Sequence, residues 1–373
     1  MDTNIVRTKF KEKFGTEGML YFSPGRVNLI GEHTDYNGGC VLPGAIDKGI
    51  LAEIKPNGTD KVRAYSVDLD DYTEFGLREE DKPKASWACY IFGVCREMQK
   101  RGGKIEGFDT VFAGDVPLGA GLSSSAALES TYGFALNEIY NCGFDKKTLV
   151  LVGQKTEHNY CGVNCGIMDQ FASIFGKEGN LIRLDCSTME YEYVPFNPKG
   201  YKVVLVDSPY NKRRQSCERA AAAIAVNHPE VKLLGDANME MLEEVKGKIS
   251  EEDYMRATYA IQENQRLIDT CEALKKGDYE TVGKNVYATH YGMSKLYEVS
   301  TVELDFLNDV AKECGVTGSR IMGGGFGGCT INLVPEDKYD HFIETAIAKF
   351  KAEFGKEPKI YPVKISDGAR RLS

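Results

Sequence analysis

The sequence predicts an α+β protein built of two domains. Its 373 residues match the combined length of two domains of ordinary size. Segments typical of strands and of helices are intermixed without a regular strand–helix–strand alternation, which favours α+β over a doubly wound sheet. This mixture gives way to mostly helical segments near residue 200. We therefore expect one domain over residues 1–199 and a second over residues 200–373.

Composition and charge exclude several classes of protein. Hydrophobic residues make up 42% of the chain and charged residues 27%, as in soluble globular proteins, so collagen-like and disordered chains are excluded. The 55 acidic residues outnumber the 46 basic ones, giving a net charge of −9. Because a protein that binds duplex nucleic acid usually carries a basic face, we expect no nucleic-acid partner.

The sequence also argues against a membrane or secreted protein. No apolar run approaches the roughly 20 residues of a membrane helix, and the charged segment from Met1 to Lys13 lacks the apolar stretch of a signal peptide. The 11 cysteines are scattered, odd in number and free of any CxxC pair. That pattern favours reduced thiols over disulfides or a zinc site. We expect a cytoplasmic protein without a membrane partner.

Strands and helices are mixed through the first half. Residues 19–22 predict a short strand, which a polar stretch bounded by proline and glycine follows. Residues 50–75 alternate as strands do and contain a Pro-Asn-Gly turn at 56–58. Residues 84–100 predict a helix that ends at a pair of glycines. The other predicted elements of this half are a strand over 107–114, helices over 125–140 and 146–160, and strands over 181–184 and 191–194.

Helices dominate the second half. A strand over 203–206 precedes a mostly helical stretch from about residue 213 to residue 313. A glycine-rich turn then leads into a strand over 329–334, a helix over 339–354 and a last strand over 360–363.

The segment from Gly114 to Ala127 predicts an anion site. Two glycines, Gly119 and Gly121, leave the backbone without Cβ atoms, so a ligand can approach it closely. Three serines then meet a strong helix-forming run, and serine favours the N-cap of a helix. Unpaired N–H groups and the helix dipole make such a start attractive to phosphate. The alternative is a plain glycine turn before a serine-capped helix.

Two other phosphate-binding motifs do not fit. The sequence contains no Walker GxxxxGKS/T motif. Residues 323–328 match GxGxxG in letters, but an alternating, strand-like segment follows them, whereas a dinucleotide fingerprint must open a helix. We expect this loop to pass its backbone close to the active centre or to a neighbouring element, or to have a purely structural role.

A polar cluster lies near the N-terminus. Glu32, His33 and Asp35 offer several acceptors and one or two donors within four residues of a glycine-rich stretch. Directional partners of this kind suit a ligand with many hydroxyl groups. A solvated loop and a metal site made by the three side chains remain alternatives.

Two further acids stand out at the centre of the chain. Glu157 lies near the end of a predicted helix, and Asp169 lies among apolar neighbours near the start of another. A carboxylate at the position of Asp169 either caps its helix or takes part in chemistry.

Together these stretches closely resemble the galactokinase family of the GHMP small-molecule kinase superfamily. Residues 24–36 resemble the galactokinase signature. Residues 117–127 and 318–330 resemble the phosphate-binding and third, glycine-rich motifs of the whole superfamily. The motifs match in order and spacing over nearly the whole chain. The first motif is specific to galactokinases, whereas the other two identify only the superfamily, so the resemblance to this family rests on the first motif.

The resemblance implies a fold, a reaction and a set of ligands. The fold is a ribosomal-S5-like N-terminal domain beside a C-terminal domain with a ferredoxin-like layer, and the active site lies between them. The reaction is the transfer of phosphate from ATP, with Mg²⁺, to the anomeric hydroxyl of D-galactose. The resemblance also suggests a monomer.

The resemblance assigns roles residue by residue. Asp169 corresponds to the catalytic base, and Arg26 to the basic residue beside the transferring phosphate. Ser125 and Glu157 correspond to the Mg²⁺ ligands. The sugar-binding positions correspond to Glu32, His33, Thr34, Asp35, Gly166, Asp169 and Tyr210. The nucleotide-binding positions correspond to Ser66, Trp87, Tyr90, Gly119, Ala120, Gly121, Leu122, Ser123, Ser124 and Ser125.

The sequence departs from the family pattern in one place. Galactokinases usually have a longer segment between the strand that ends near Ser208 and the segment matched by Tyr210, and here only Pro209 separates these residues. Other acceptors, such as N-acetylgalactosamine or arabinose, remain open, as does a sensor that binds galactose without turnover. The presence of Arg26, Glu157 and Asp169 argues against the sensor.

Overall fold

The computed structural model describes residues 2–116, 121–208 and 215–372. The helices are α1 (Thr3–Phe14), α2 (Ser86–Lys100), α3 (Ser124–Ile139), α4 (Lys146–Thr156), α5 (Met168–Phe175), α6 (Gln215–Ala225), α7 (Met239–Val245), α8 (Glu251–Lys275), α9 (Tyr279–Tyr291), α10 (Val302–Glu313) and α11 (Tyr339–Phe354). The strands are β1 (Met19–Asn28), β2 (Cys40–Val41), β3 (Pro43–Pro56), β4 (Lys61–Ser66), β5 (Asp71–Gly76), β6 (Phe108–Gly114), β7 (Asn180–Asp185), β8 (Tyr191–Pro195), β9 (Tyr201–Ser208), β10 (Gly318–Ile321), β11 (Gly328–Pro335), β12 (Ile360–Val363) and β13 (Arg370–Arg371).

A six-stranded sheet in the order β13-β1-β3-β6-β4-β5 organises the first half. Its pairs are antiparallel except for β4 with β6. Side chains alternate along each strand, so Phe112 of β6 joins the core under α2 and α3, whereas Val111 and Ala113 join the core under α1. Both faces of this sheet are therefore covered by helices.

A four-stranded antiparallel sheet in the order β10-β11-β9-β12 organises the second half. Along β9, Val204 and Val206 pack with residues of α10 and α11. Val203 and Leu205 point to the other face, where they join a core that includes residues of α8, α9 and β1. This second core connects the two halves of the molecule.

A small sheet and the end of the chain complete the arrangement. Strands β2, β7 and β8 form a three-stranded sheet packed against α5. The last residues return to the first sheet, where Arg370 and Arg371 pair with Phe22 and Tyr21 of β1. We propose residue 200 as the boundary between the two domains. Strand β13, at the end of the chain, then returns to the sheet of the first domain.

The predicted elements are present, with a few differences. Helix α1 was not predicted, because its many charged residues leave only Val6 and Phe10 buried. Strand β1 continues to Asn28, beyond the predicted end at Phe22. A bulge between Pro24 and Arg26 lets the strand continue past the proline and glycine. Among the described residues, no helix combines the length and apolar character needed to span a bilayer.

Candidate active site

Three elements from distant parts of the chain bring Arg26, Asp169 and Ser123 into contact. Nε and Nη2 of Arg26 lie 2.7 and 3.0 Å from the two carboxylate oxygens of Asp169. The Ser123 hydroxyl donates a hydrogen bond to the same carboxylate. Arg26 is 5% exposed, so the guanidinium is shielded from water, whereas the Asp169 carboxylate is partly open to it. A carboxylate, a guanidinium and the start of α3 therefore lie together.

Neither Asp169 nor Ser123 caps its helix. Asp169 is the second residue of α5, and Ile167 occupies the N-cap position without a capping side chain. Ser123 occupies the N-cap of α3 in the left-handed region, at a φ of 58°, and makes no capping bond. Such a backbone is costly for a residue other than glycine and is often found at functional sites. The helix-cap alternative for Asp169 is therefore wrong.

The described part of the predicted phosphate loop is hydrogen-bonded to β1. The Arg26 amide donates to the carbonyl of Leu122 at 3.1 Å, and Arg26 Nη1 lies 2.5 Å from the carbonyl of Gly121. A Cβ atom at Gly25 would lie 2.6 Å from that Leu122 oxygen, so glycine is needed for the close approach. Gly119 and Ala120 lie outside the described residues.

Glu32 forms an ion pair that the sequence did not suggest. Both terminal nitrogens of Arg320 lie 3.1 Å from Oε1 of Glu32, and the amide of Gly323 donates to the same oxygen at 2.9 Å. Burial opposes the charge on Glu32, but Arg320, Arg26 and the Gly323 amide together lower its pKa. The glycine-rich loop that joins β10 to β11 thus passes its backbone beside Glu32, one of the predicted sugar-binding residues.

Thr34 lies beside Glu32 and serves the local backbone. Its hydroxyl lies 2.8 Å from the carbonyl of Gly31 and 2.6 Å from that of Cys40. The side chain is 1% exposed. In the structure Thr34 therefore holds the turn that carries the predicted sugar-binding side chains.

Asp35 and Gly166, two of the predicted sugar-binding residues, lie against each other. A Cβ atom at Gly166 would lie only 2.0 Å from Oδ2 of Asp35. Burial, with the nearby charges of Asp169 and Glu32, raises the pKa of Asp35 to about 6. Asp35 and Gly166 also line a cavity of about 780 Å³.

Ser125 and Glu157 lie close to each other, because Ser125 contributes to the pKa of the Glu157 carboxyl. Burial raises that pKa, and the neighbouring side chains of Cys165 and Ser125 partly offset the effect. Glu157 begins a π-helical turn that follows α4, a distortion often found at functional sites. Among the described residues, no group of three or more His, Cys, Asp or Glu side chains is arranged to hold a metal ion.

Three of the predicted nucleotide-binding residues, Ser66, Trp87 and Tyr90, lie on or near helix α2. Trp87 Nε1 donates to Asp71 at 2.7 Å, and its ring packs 5.3 Å from that of Phe112. Phe112 pairs with Ser66 across β6 and β4, so Trp87 and Ser66 share one region. Burial raises the pKa of Tyr90, and the charge of Glu157 contributes to this shift. Tyr210 lies outside the described residues.

Comparisons with known proteins match this arrangement over most of the chain. Residues 8–56 match the family model described as the galactokinase galactose-binding signature. Residues 89–177 match the GHMP kinases N terminal domain, and residues 271–352 match the GHMP kinases C terminal domain.

Relatives named galactokinase align over nearly their full length. One from Clostridium acetobutylicum is 42% identical over 386 residues, covering 99% of each chain. One from Fusobacterium nucleatum is 42% identical over 387 residues, with the same coverage. Both alignments are longer than the 373 residues of this chain, so each relative has residues without a counterpart here.

Solved structures confirm the fold. Lactococcus lactis galactokinase complexed with galactose is 35% identical, superposes with a TM-score of 0.92 and is covered over 98% of both chains. A mevalonate kinase, 22% identical, superposes with a TM-score of 0.68 over 94% of this chain and 100% of its own, a likeness of fold alone. The predicted two-domain α+β GHMP kinase fold is thus confirmed. The signature, both domain matches and full-length relatives at about 40% identity show that this chain belongs to the galactokinase family of GHMP sugar kinases.

Proposed function

We propose that the protein transfers the γ-phosphate of ATP to the anomeric hydroxyl of D-galactose, giving galactose 1-phosphate and ADP. The contact of Arg26, Asp169 and Ser123 carries this proposal, because it joins a base, a fixed positive charge and a helix start in one site. A related structure was solved with galactose, which supports a sugar as the acceptor.

Asp169 is the base in this proposal. Its side chain is 29% exposed, so a hydroxyl can reach it, while Arg26 and Ser123 hold the carboxylate in one orientation. Asp169 accepts a hydrogen bond from the anomeric hydroxyl and takes its proton as the new phosphorus–oxygen bond forms. The bond from the γ-phosphorus to the bridging oxygen breaks, and ADP leaves.

Glu32, His33, Asp35, Gly166 and Tyr210 bind the sugar in this proposal. Glu32 presents a carboxylate whose position Arg320 maintains. Because His33 is neutral and Asp35 acidic, the pocket offers both donors and acceptors to a ligand with many hydroxyl groups. Holding the sugar in one orientation lowers the activation barrier of the transfer step, because phosphoryl transfer depends mainly on the alignment of its reactants.

Charge stabilisation comes from Arg26 and the start of α3. The first amides of a helix have no partner within it, and its dipole is positive at this end. Ser123, Ser124, Ser125, Gly121 and Leu122 belong to this phosphate site, together with the loop residues Gly119 and Ala120. The buried guanidinium of Arg26 adds a fixed positive charge where negative charge develops in transfer.

We assign Mg²⁺ to Ser125 and Glu157. A hydroxyl and a carboxylate close to each other are oxygen ligands of the kind this ion prefers. Mg²⁺ in kinases usually takes one or two protein ligands together with phosphate oxygens, so no larger cluster is needed. When bound, the ion neutralises charge on the phosphates of ATP.

The adenine end of ATP is assigned to the region of Ser66, Trp87 and Tyr90. These residues lie on β4 and on the first turns of α2, and α2 shares one core with α3, the helix that begins at the proposed phosphate site. Aromatic rings are suited to contact with the face of a base.

The proposal is tested by measuring ADP release with galactose, N-acetylgalactosamine, arabinose and mevalonate, with and without Mg²⁺. We expect turnover with galactose in the presence of Mg²⁺, and a product whose phosphorus couples to the anomeric proton. Faster ADP release with another sugar would identify that sugar, and not galactose, as the substrate. Galactose binding by calorimetry without ADP release would indicate a sensor. Light scattering tests the expected monomer.

A further inference from the structure

The buried imidazole of His33 has a network of tyrosines behind it. His33 is 9% exposed, and burial lowers its pKa to about 4, so the ring is neutral near pH 7. A neutral imidazole carries one N–H, and its other nitrogen is an acceptor. Whether His33 gives or receives a hydrogen bond at the site therefore depends on its tautomer.

The Nδ1 atom of His33 is engaged by two tyrosine hydroxyls in series. Nδ1 lies 2.5 Å from the hydroxyl of Tyr36, and that hydroxyl lies 3.0 Å from the hydroxyl of Tyr297. The ring of Tyr297 also packs against the imidazole, with centroids 4.7 Å apart. Tyr259 packs on Tyr297 and donates to the carbonyl of Glu32 at 3.2 Å. The ring of Tyr297 is therefore in contact with both His33 and Tyr259.

The Nε2 atom of His33 has a different environment. Nε2 is buried and makes no hydrogen bond within the described part of the chain. Because the Tyr36 hydroxyl can donate to Nδ1, a neutral ring with its proton on Nε2 uses both nitrogens once a ligand oxygen lies beside Nε2.

We propose that Tyr297 and Tyr36 form a hydroxyl relay that makes His33 a hydrogen-bond donor to the bound sugar. Tyr297 donates to Tyr36, Tyr36 donates to Nδ1 of His33, and Nε2–H donates to an oxygen of the substrate. Tyr36 and Tyr297 are positioning residues, because they act through His33. This inference rests on the proposed sugar-binding role of His33.

The relay affects binding more than the transfer step. It acts through His33 on the sugar side, whereas Arg26 and Asp169 pair with each other. Without the donor on Nδ1, the proton of His33 can move to Nδ1, and Nε2 then loses the hydrogen that the sugar oxygen requires. A neutral hydrogen bond of this kind corresponds to roughly a three- to tenfold change in affinity.

The first test reads the tautomer directly in the free protein. Long-range ¹H–¹⁵N correlation spectra of histidine-labelled protein separate the two neutral tautomers, and the chain has only 5 histidines, so a His33→Gln variant assigns the signal. We expect the Nε2–H form in the parent and a shift toward Nδ1–H in Tyr36→Phe. The Nδ1–H form in the parent, or an unchanged spectrum in Tyr36→Phe, would overturn the relay.

The second test separates binding from turnover. We expect Tyr36→Phe and, more weakly, Tyr297→Phe to raise KM for galactose three- to tenfold with kcat within about twofold. Tyr291→Phe is the matched control. It removes the same hydroxyl group from a nearby tyrosine that precedes Tyr297 in the chain and is 63% exposed. Loss of kcat without a change in KM would overturn the relay. If no sugar is turned over, the proposed function fails while the tautomer measurement still decides the relay.

Discussion

Gly166→Ala tests the sugar side of the active site with a single methyl group. Gly166 does not lie in the left-handed region of backbone space, so alanine is acceptable to the backbone itself. The new Cβ would lie 2.0 Å from Oδ2 of Asp35, whereas real Cβ contacts essentially never fall below 3.0 Å. The carboxylate of Asp35 must therefore retreat by about 1 Å from the position it holds.

The cost should fall on catalysis and not on folding. The obstacle is the end of a side chain and not backbone, so a small rotation of Asp35 relieves it at little cost in stability. A displacement of about 1 Å at a substrate-positioning group costs about 100-fold in rate, or about 2.7 kcal/mol. We expect kcat/KM for galactose to fall by that factor, while KM for ATP and the melting temperature change little.

Coupled ADP-release kinetics measure this effect, with Gly133→Ala as the matched control. Gly133 lies inside α3, and nothing lies within 4 Å of a Cβ atom there. The control should keep its kinetics and gain roughly 0.5–1 kcal/mol in stability. In an Asp35→Ala background, Gly166→Ala should have little further effect, because the displaced group is absent. Activity of Gly166→Ala within threefold of the parent would refute the steric argument.

Three further predictions concern the charged groups of the site. Asp169→Asn should leave galactose binding largely intact and lower kcat by about 100-fold or more, because the amide cannot take the proton; calorimetry and ADP release measure the two effects. Arg26→Ala should lower kcat by about 100- to 1,000-fold, because it removes a fixed charge from the transition state. Burial raises the pKa of Asp35 from its ordinary 3.8 to about 6, so Asp35 gains a proton as the pH falls through about 6, and KM for galactose should then rise.

Each of these has a distinct contrary outcome. Turnover of Asp169→Asn within a few-fold of the parent would reject Asp169 as the base. Loss of sugar affinity alone in Arg26→Ala would argue against its role in the transfer step. A flat KM for galactose between pH 5 and pH 7 would contradict the raised pKa of Asp35. The same shift implies that the contribution of Asp35 to the free energy of unfolding falls as the pH rises from about 4 to about 6.

Much of the site could be predicted from contiguous sequence. The segment from Gly121 to Ser125 combines glycine, serine and a following helix-forming run, and these are local determinants of a helix start with exposed amides. The segment from Glu32 to Asp35 likewise groups donors and acceptors within four residues. The family resemblance assigned roles to both, because its motifs are also contiguous.

Other features were ambiguous because one segment permits two outcomes. A position near a helix start is compatible with Asp169 as a cap or as a base. The packing of β1 against α5 places Asp169 in contact with Arg26. The proline and glycine after Phe22 suggested an interruption, yet the strand continues through a bulge.

Contiguous sequence was enough to predict the fold class, most of the elements in their order and the chemical types gathered in each motif, because periodicity and helix-start preferences are local properties. Which groups meet depends on the packing of distant segments. Glu32 pairs with Arg320 across 288 residues, and Tyr36 meets Tyr297 across 261. Such partners depend on how the sheets and helices pack, since any buried charge needs a partner but its own segment does not specify which one.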